Sequence, residues 1–289
     1  MKTKIFFTTA AFYLFGTAFA QQNPMAPVQS KWEWTATTHE LNYYNSDYCD
    51  YFLVSSRNKE LWITSGKNNL LSMPREQAAK YRNDPSFLPS SFRTYKGYFP
   101  EKSPVDALYA LPVRAGDSTK FTVEPDRRLH TYLFRIESFD TVFATRGGVI
   151  CKNNDQGLYL GKAESIENNS NLLVYHYDRT FALYGRLSKT FVREGQQIEI
   201  GQPIGLAQEK KRVSVAFFFL DKNKFTGGKP NGSPHTFFKP SFHTANEGKV
   251  QLEEKTTYIS QISDEMITQD MSKREKKKYE KKKLKAAGK

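Results

Sequence analysis

The feature that most constrains the fold is a regularly spaced run over residues 171–207, which reads NLLVYHYDRTFALYGRLSKTFVREGQQIEIGQPIGLA. Gly195 and Gly201 divide its second half into short segments, and each segment holds an apolar residue at the matching position: Val192, Ile198 and Ile204. Glycine tolerates the backbone angles of tight turns, and the apolar residues supply buried faces. The spacing therefore predicts short strands joined by tight turns.

Short apolar and aromatic segments separated by turn residues continue on both sides of this run. The chain has 22 Phe and 16 Tyr, and aromatic and β-branched residues favour strands. Strand-like segments include KFTVEP, HTYLFRI, TVFATRGGVICK and RVSVAFFFL, and residues 32–54 have the same character. We predict a mainly β protein with a β-rich N-terminal domain over 21–104 and an antiparallel β-sheet domain over 105–258.

The N-terminus has the pattern of a secretory signal peptide. Lys2 and Lys4 precede an apolar stretch over residues 5–15, and Ala18-Phe19-Ala20 forms a small-residue cleavage site. The apolar stretch is shorter than the roughly 20 residues of a membrane-spanning helix. We predict that residues 1–20 are removed and that the protein is exported to the periplasm, where partner proteins would hold it at the outer membrane.

The C-terminus is strongly basic. Residues 271–289 hold ten Lys or Arg against two Glu, and so carry eight of the thirteen net positive charges. We predict that residues 259–289 form a basic helical or disordered tail. Its charge favours contact with an anionic envelope surface or an acidic protein patch. Export, and the presence of only one aromatic residue, Tyr279, argue against nucleic acid as a partner.

The run over 171–207 resembles the central signature of the LytM/lysostaphin-type murein metallopeptidases, in which Y-x-H-L is followed by V-x-x-G-x-x-V-x-x-G-x-x-I-G. The residues on that spacing are Tyr184, Leu187, Val192, Gly195, Ile198, Gly201, Ile204 and Gly205. YALPVRAG, TVFATRGGVI, RVSVAFFFL and KPSFHT resemble further stretches of the family, so the resemblance covers about residues 105–245. It implies a LytM-like antiparallel β-sheet domain.

The resemblance also implies where the family's zinc ligands and catalytic histidines would lie. The Asp ligand falls on Leu133, the His of Y-x-H-L falls on Arg186, and the two His of H-x-H fall on Ser214 and Ala216. The early His ligand has no assigned position. Leucine cannot ligate zinc, and arginine neither ligates metal nor transfers protons at neutral pH. The resemblance therefore implies a degenerate homologue that lacks zinc, other cofactors and catalytic residues.

The five histidines have no acidic partner at a recognisable ligand spacing, and we predict structural or solvent-facing roles for them: His39, His130, His176, His235 and His243. His176 lies where the family frequently has a histidine that helps to hold a strand pair. We predict a retained groove with His176, Tyr184 and Arg186 as candidate residues. The guanidinium of Arg186 offers a planar donor fork that fits a carboxylate.

The chain has two cysteines, Cys49 and Cys151. Export permits oxidation, but separation in sequence does not show whether the two side chains meet. A disulfide between them and a pair of buried thiols both remain open.

Together these features predict a non-catalytic cell-envelope protein with a degenerate zinc-endopeptidase fold. It would act as a scaffold, regulator or binding subunit, with peptidoglycan or envelope proteins as partners. The alternative is an active zinc metalloendopeptidase that cleaves peptidoglycan cross-bridge peptides with unrecognised ligands. The zinc content of the purified protein distinguishes the two hypotheses.

Overall fold

The computed structural model describes residues 26–55, 59–81, 92–123, 130–136, 140–152, 171–208 and 211–287. Within these ranges the chain is mainly β and largely antiparallel, with three α-helices and two short 3-10 helices, Pro104–Asp106 and Lys222–Lys224. The predicted fold class, a mainly β protein, is confirmed. The predicted signal peptide, residues 1–20, lies outside the described residues.

The N-terminal part forms two three-stranded antiparallel sheets. Its elements are β1 (Val28–Trp34), β2 (Thr38–Asn45), β3 (Tyr51–Ser55), β4 (Glu60–Ile63), β5 (Gly66–Pro74), α1 (Arg75–Tyr81) and β6 (Phe92–Lys96). One sheet has the order β1-β2-β5 and the other β4-β3-β6. The central strand β3, YFLVS, is buried along its whole length, because β4 and β6 pair with its two edges and its faces contribute to two apolar clusters.

The remaining strands follow from residue 108. They are β7 (Leu108–Tyr109), β8 (Ser118–Val123), β9 (Tyr132–Ile136), β10 (Thr141–Phe143), β11 (Gly148–Cys151), β12 (Leu172–Tyr175), β13 (Thr180–Gly185), β14 (Leu187–Thr190), β15 (Gln197–Ile198), β16 (Pro203–Ala207), β17 (Arg212–Leu220), β18 (Phe225–Thr226), β19 (Lys229–Pro230), β20 (His235–Phe237), β21 (Ser241–Thr244), β22 (Gly248–Val250) and β23 (Thr257–Ile259). The main sheet has the order β15-β11-β12-β13-β17-β9-β8-β23, and β20 also pairs with β17.

Side chains of the main sheet alternate between two buried faces, as the period of two in a strand requires. The first face carries the largest apolar cluster, which includes Tyr132, Phe134, Ala182, Tyr184, Val213, Val215 and Phe217. The second face carries Leu173, Tyr175, Phe181 and Phe218, which share a cluster with Tyr43, Tyr51, Leu53 and Ile63. The N-terminal part therefore packs on one end of the second face.

The turns predicted from the glycine spacing are present. Gly195 has a φ of 80° and Gly201 a φ of 73°, both in the left-handed region that favours glycine. Ile198 and Ile204 lie in the largest apolar cluster, and Val192 packs against it. This part of the prediction is confirmed because it depends only on neighbouring residues.

The first half of the predicted tail packs on the domain that precedes it. Strand β23 pairs with β8, and helix α2 (Asp264–Thr268) buries Met266 in a cluster with Leu108 and Ala110. The Gln269 side-chain amide donates to the carbonyl of Leu108 at 2.8 Å and accepts from its N–H at 2.9 Å. Residues 259–270 are thus part of the packed structure.

The last half of the tail is the helix α3 (Lys273–Ala287), whose side chains are mostly exposed. Ser272 begins it by bonding with Glu275, which is the reciprocal arrangement of a capping box. Tyr279 and Lys283 both contact Asp264 of α2; Asp264 and Lys283 are exposed, and Tyr279 is partly exposed. Among the described helices, none is both long enough and apolar enough to cross a bilayer.

We expect deletion of residues 271–289 to leave the thermal unfolding of the rest nearly unchanged. The deletion removes solvent-exposed contacts to Asp264, which contribute little to stability because water screens them, and keeps Met266, Gln269 and Asp270. A loss of about 1 kcal/mol lowers Tm by a few degrees in a domain of this size. Calorimetry of the truncated chain measures the shift, and a fall of roughly ten degrees would show that α3 is part of the folded core.

Candidate functional site

Three of the four positions that the resemblance assigns to the zinc site lie side by side in the main sheet. Ser214 on β17 pairs with Leu133 on β9 and with Gly185 on β13. Ala216 follows two residues later, so its side chain is on the same face as that of Ser214. This is the second face of the main sheet. The structure therefore brings Leu133, Ser214 and Ala216 together.

The residues at these positions do not fit a zinc ion. Zinc in proteins is held by imidazole nitrogen, thiolate sulfur or carboxylate oxygen, and Leu133, Ser214 and Ala216 offer none of these groups. The neighbourhood is also closely packed. A Cβ atom added at Gly185 would lie 2.5 Å from Oγ of Ser214 and 3.1 Å from Oδ1 of Asn171, so little room is left beside Ser214.

Arg186 lies just beyond the end of β13 and is exposed. Its φ is 61°, a conformation that costs a residue with a Cβ atom on the order of 1 kcal/mol or more. Its carbonyl accepts a hydrogen bond of 2.9 Å from the N–H of Gln208. The backbone turn that joins β13 to β14 therefore places this guanidinium group at the protein surface.

Tyr184 lies on the first face, away from Ser214 and Ala216. Its side chain is fully buried, and its hydroxyl accepts from the N–H of Thr145 at 2.8 Å and bonds with the Thr145 hydroxyl at 2.7 Å. Burial raises the pKa of Tyr184 to about 12. The hydroxyl of Tyr184 is therefore occupied by hydrogen bonds inside the core. Tyr184 does not line a surface groove together with Arg186.

His176 is buried in the turn between β12 and β13, with 1% of its surface exposed. Its Nδ1 lies 2.8 Å from the carbonyl oxygen of Gly147. Because a carbonyl can only accept, Nδ1 carries the hydrogen. Burial, and then the Arg146 guanidinium, lower the pKa of His176 to about 4. The ring packs edge-on against Tyr109, with ring centres 5.7 Å apart. A neutral imidazole thus joins the turn to the segment before β11.

Beside His176 lies an ionic cluster of three residues in which the arginine is buried and the two aspartates are partly buried. We call it the Arg146 cluster: Arg146, Asp178 and Asp270. Nη1 of Arg146 lies 2.6 Å from Asp178, and its Nε donates to Asp270 at 2.9 Å. Nη1 also donates to the hydroxyl of Tyr109 at 3.2 Å. Burial alone would raise the pKa of Asp178, but Arg146 outweighs this effect and lowers it. The cluster ties the C-terminal segment to the main sheet.

A second buried polar cluster joins the N-terminal part to the main sheet, and we call it the Asp47 cluster: Asp47, Cys49, Tyr51, Lys96 and Cys151. Nζ of Lys96 lies 2.9 Å from Asp47, with both side chains fully buried, and it donates to the carbonyl of Lys152 at 2.5 Å. Tyr51 donates to Asp47 at 3.0 Å. The sequence analysis left open whether Cys49 and Cys151 meet, but it predicted neither the pairing of Asp47 with Lys96 nor that of Arg146 with the two aspartates. The only available signals were charged residues, such as Arg146, within apolar strand segments.

The other four histidines lie in separate parts of the structure. His235 is buried, and its Nε2 lies 3.0 Å from the carbonyl oxygen of Lys96. Burial lowers the pKa of His235 to about 4. His39 stacks on Trp34 at 3.8 Å, His130 is exposed with a φ of 37°, and His243 lies on β21. Among the described residues, the structure brings no two histidines into a shared metal-ligand group.

We expect the free energy of unfolding to decrease as the pH falls from about 6.5 towards 4. The pKa of His176 and that of His235 are lowered from 6.5 to about 4 in the folded protein, so in this window the unfolded chain binds protons that the folded chain does not. The contribution of these two neutral histidines to stability is complete above about pH 6.5 and is lost as the pH falls through about 4. Each contributes up to about 1.4 kcal/mol per pH unit.

Urea unfolding of the wild-type chain and of His235→Gln, between about pH 7.5 and about pH 4.5, measures this slope. The variant should have a shallower slope. The matched variant His130→Gln, at an exposed position, should keep the wild-type slope. Equal slopes in all three proteins would contradict the assignment of His235 as a buried neutral imidazole.

No protein-family model and no curated protein matches this chain. The solved structures to which it is similar include a novel M23 metalloprotease, pseudoalterin, from the deep sea, with 15% identity and a TM-score of 0.28 over 52% of this chain and 77% of that chain. Another is a peptidase M23 from Pseudomonas aeruginosa, with 14% identity and a TM-score of 0.28 over 64% of this chain and 69% of that chain. A further one is Helicobacter pylori Csd3, with 11% identity and a TM-score of 0.27 over 90% of this chain and 77% of that chain. These TM-scores are low, and the fold described above rests on the strand register alone.

Proposed function

We propose that this chain is a non-catalytic cell-envelope protein that uses a peptidase-like β fold to bind cell-wall peptide or an envelope protein. One observation carries the proposal. Leu133, Ser214 and Ala216 lie side by side on the sheet face where the resemblance places zinc ligands and catalytic groups, and none of them has a group that binds zinc. The signal-peptide pattern of residues 1–20 supports export, and export gives access to the envelope.

The packing of the N-terminal part argues against a catalytic groove that is open along the whole second face. Phe181 and Phe218 lie on the second face and are fully buried in a cluster with residues of β2 to β4, and Leu183 packs against the same cluster. This surface is continuous along β13 and β17 with Ser214 and Ala216. Part of the face is therefore used to hold two parts of the chain together.

An active metalloenzyme needs three protein ligands and an open fourth position for water. Within the described residues, the set with ligand spacing is Asp47, Cys49 and Cys151, and all three are buried. The ammonium group of Lys96 lies 2.9 Å from Asp47, where it would repel a metal ion and where substrate has no access. The alternative of a zinc endopeptidase therefore receives no support from this group.

Metal analysis combined with peptidoglycan assays tests the proposal on the mature protein. We expect zinc far below one ion per chain, and co-sedimentation with peptidoglycan or capture of envelope proteins without release of peptide fragments. About one zinc ion per chain together with release of peptide fragments would overturn the proposal that the protein is non-catalytic. Absence of binding to both peptidoglycan and envelope proteins would overturn the binding role.

A pair of arginine variants tests whether the exposed guanidinium at the end of β13 takes part in binding. Arg186→Gln should weaken binding to a carboxylate-bearing cell-wall peptide by roughly tenfold, as expected for loss of a charge-assisted hydrogen bond. Arg193→Gln is the matched control, because Arg193 is also exposed but lies in the turn before β15. Equal binding by the two variants would exclude Arg186 from the binding surface.

We expect the fourfold variant Leu133→Asp, Arg186→His, Ser214→His and Ala216→His to bind zinc weakly and to cleave peptidoglycan inefficiently. The chain supplies no assigned early histidine, and ligating histidines need partners that orient their rings. Oγ of Ser214 already lies close to Gly185, so an imidazole at position 214 would be crowded. Tight zinc binding with rapid fragment release would show that the supporting groups of an active site are still present.

A further inference from the structure

The two cysteines come from different parts of the chain and meet in its interior. Cys49 lies between β2 and β3, and Cys151 is the last residue of β11 in the main sheet. They have 1% and 2% of their surfaces exposed, and their sulfur atoms and a carboxylate oxygen of Asp47 all lie within 4.8 Å of one another. Both belong to the apolar cluster that joins the N-terminal part to the second face.

The surroundings of the sulfur atoms disfavour a metal ion. The carboxylate of Asp47 already interacts with Lys96 at 2.9 Å and accepts from Tyr51 at 3.0 Å. It also accepts from the backbone N–H of Tyr48 at 2.7 Å and from that of Lys152 at 2.9 Å. With four donors, one of which is the positively charged ammonium group of Lys96, this carboxylate has no capacity left for a cation. Without the Asp47 carboxylate, the only candidate metal ligands left in this group are the two cysteine sulfur atoms, which are too few for a zinc site.

We propose that Cys49 and Cys151 form a disulfide bond that covalently joins the N-terminal part to the main sheet. The proposal rests on the export that is part of the proposed function, because disulfides persist in oxidising compartments. Two S–H bonds break and one S–S bond forms. The two protons and two electrons pass to the disulfide of a protein thiol oxidant, which becomes a dithiol. Both cysteines are free thiols in the structure, and the bond requires their sulfur atoms, which lie within 4.8 Å of each other, to approach to about 2 Å.

The bond has to form before the N-terminal part closes on the second face. In the folded chain, burial and then the neighbouring Cys151 thiol raise the pKa of Cys49 well above its usual value. The thiolate, which is the species that attacks a disulfide, is therefore scarce, and no oxidant reaches the buried sulfur. Oxidation during folding gives a cross-link that is afterwards protected from reductants.

Thiol labelling of full-length protein sent to an oxidising compartment by a standard secretion signal tests the proposal. The purified protein is denatured and treated with a maleimide before and after reduction, and its intact mass is measured. We expect no maleimide on the unreduced chain and two after reduction. Two labels before reduction would overturn the proposal. Labelling that is blocked until a chelator removes one zinc ion per chain would also overturn it, in favour of a metal site.

Thermal unfolding with and without reductant gives a second readout. Typical disulfide stabilisation predicts that reduction lowers Tm by about 5–15 °C. The variant Cys49→Ala with Cys151→Ala should show no effect of reductant. A reductant-insensitive wild-type Tm would overturn the proposal. Both readouts are independent of peptidoglycan binding: a disulfide in a protein that binds no envelope component would leave this inference standing while the proposed function fails.

Discussion

Replacing Arg146 with alanine is expected to lower the free energy of unfolding by about 3–5 kcal/mol, because it leaves two carboxylates without their cation in a mostly buried site. Asp178 and Asp270 both bond to this guanidinium, whose side chain is 3% exposed. The hydroxyl of Tyr109 also loses a donor. Urea unfolding at neutral pH, in two-state conditions, measures the loss.

Arg193→Ala is the matched control for Arg146→Ala, since Arg193 is exposed and its removal should change stability by about 0.5 kcal/mol or less. Asp270→Asn should be intermediate, because Arg146 keeps Asp178. An Arg146→Ala variant as stable as Arg193→Ala would show that the C-terminal segment does not dock through this cluster. In that event the pairing of β23 with β8 and the packing of Met266 and Gln269 would hold residues 259–270.

Replacing Lys96 with methionine is the second change with a large expected effect, also about 3–5 kcal/mol. The substitution keeps the length of the side chain but removes the ammonium group that neutralises Asp47, and neither side chain is exposed to solvent. The buried carboxylate then keeps its neutral donors and loses its counter-charge. Chemical denaturation of the single variants and of Lys96→Met with Asp47→Asn forms a double-mutant cycle.

We expect this cycle to show a coupling of about 1–3 kcal/mol, because each single variant leaves one polar partner unmatched and the double variant removes both charges. Lys67→Met is the surface control. Lys67 pairs with Glu33 at 3.1 Å, but its side chain is 50% exposed, so the loss should be much smaller than that of Lys96→Met. Additive effects at Asp47 and Lys96 would show that the two groups do not interact in the folded chain.

The two clusters have a common place in the architecture. The Asp47 cluster joins the N-terminal part to β11, and the Arg146 cluster joins the segment after β23 to the turn between β12 and β13. Each therefore fastens a flanking region to the main sheet. Replacing a whole buried ion pair with apolar groups is often neutral or stabilising, so the losses expected for Arg146→Ala and Lys96→Met reflect mainly the cost of leaving charged partners unpaired.

The local features of the fold followed from the order of residues. Gly195 and Gly201 occupy turns because their neighbours along the chain supply short apolar strands, and only glycine adopts positive φ without strain. The β content followed from the density of aromatic and β-branched residues. The site positions were assigned by resemblance to a signature, and strand pairing then placed Leu133 opposite Ser214.

Tertiary structure alone decided which distant residues meet. Arg146 and Asp270 are 124 positions apart. Cys49 lies in the loop between β2 and β3, whereas Cys151 ends β11 of the main sheet, so no local pattern connects either pair. The covering of the second face by the N-terminal part could not be predicted from the sequence, because Phe181 and Phe218 belong to two strands, β13 and β17, that are apolar on both faces. The alternation of side chains along a strand identifies which residues share a face. Which part of the chain packs on that face depends on chain connectivity and on the apolar area that only the assembled sheets can bury.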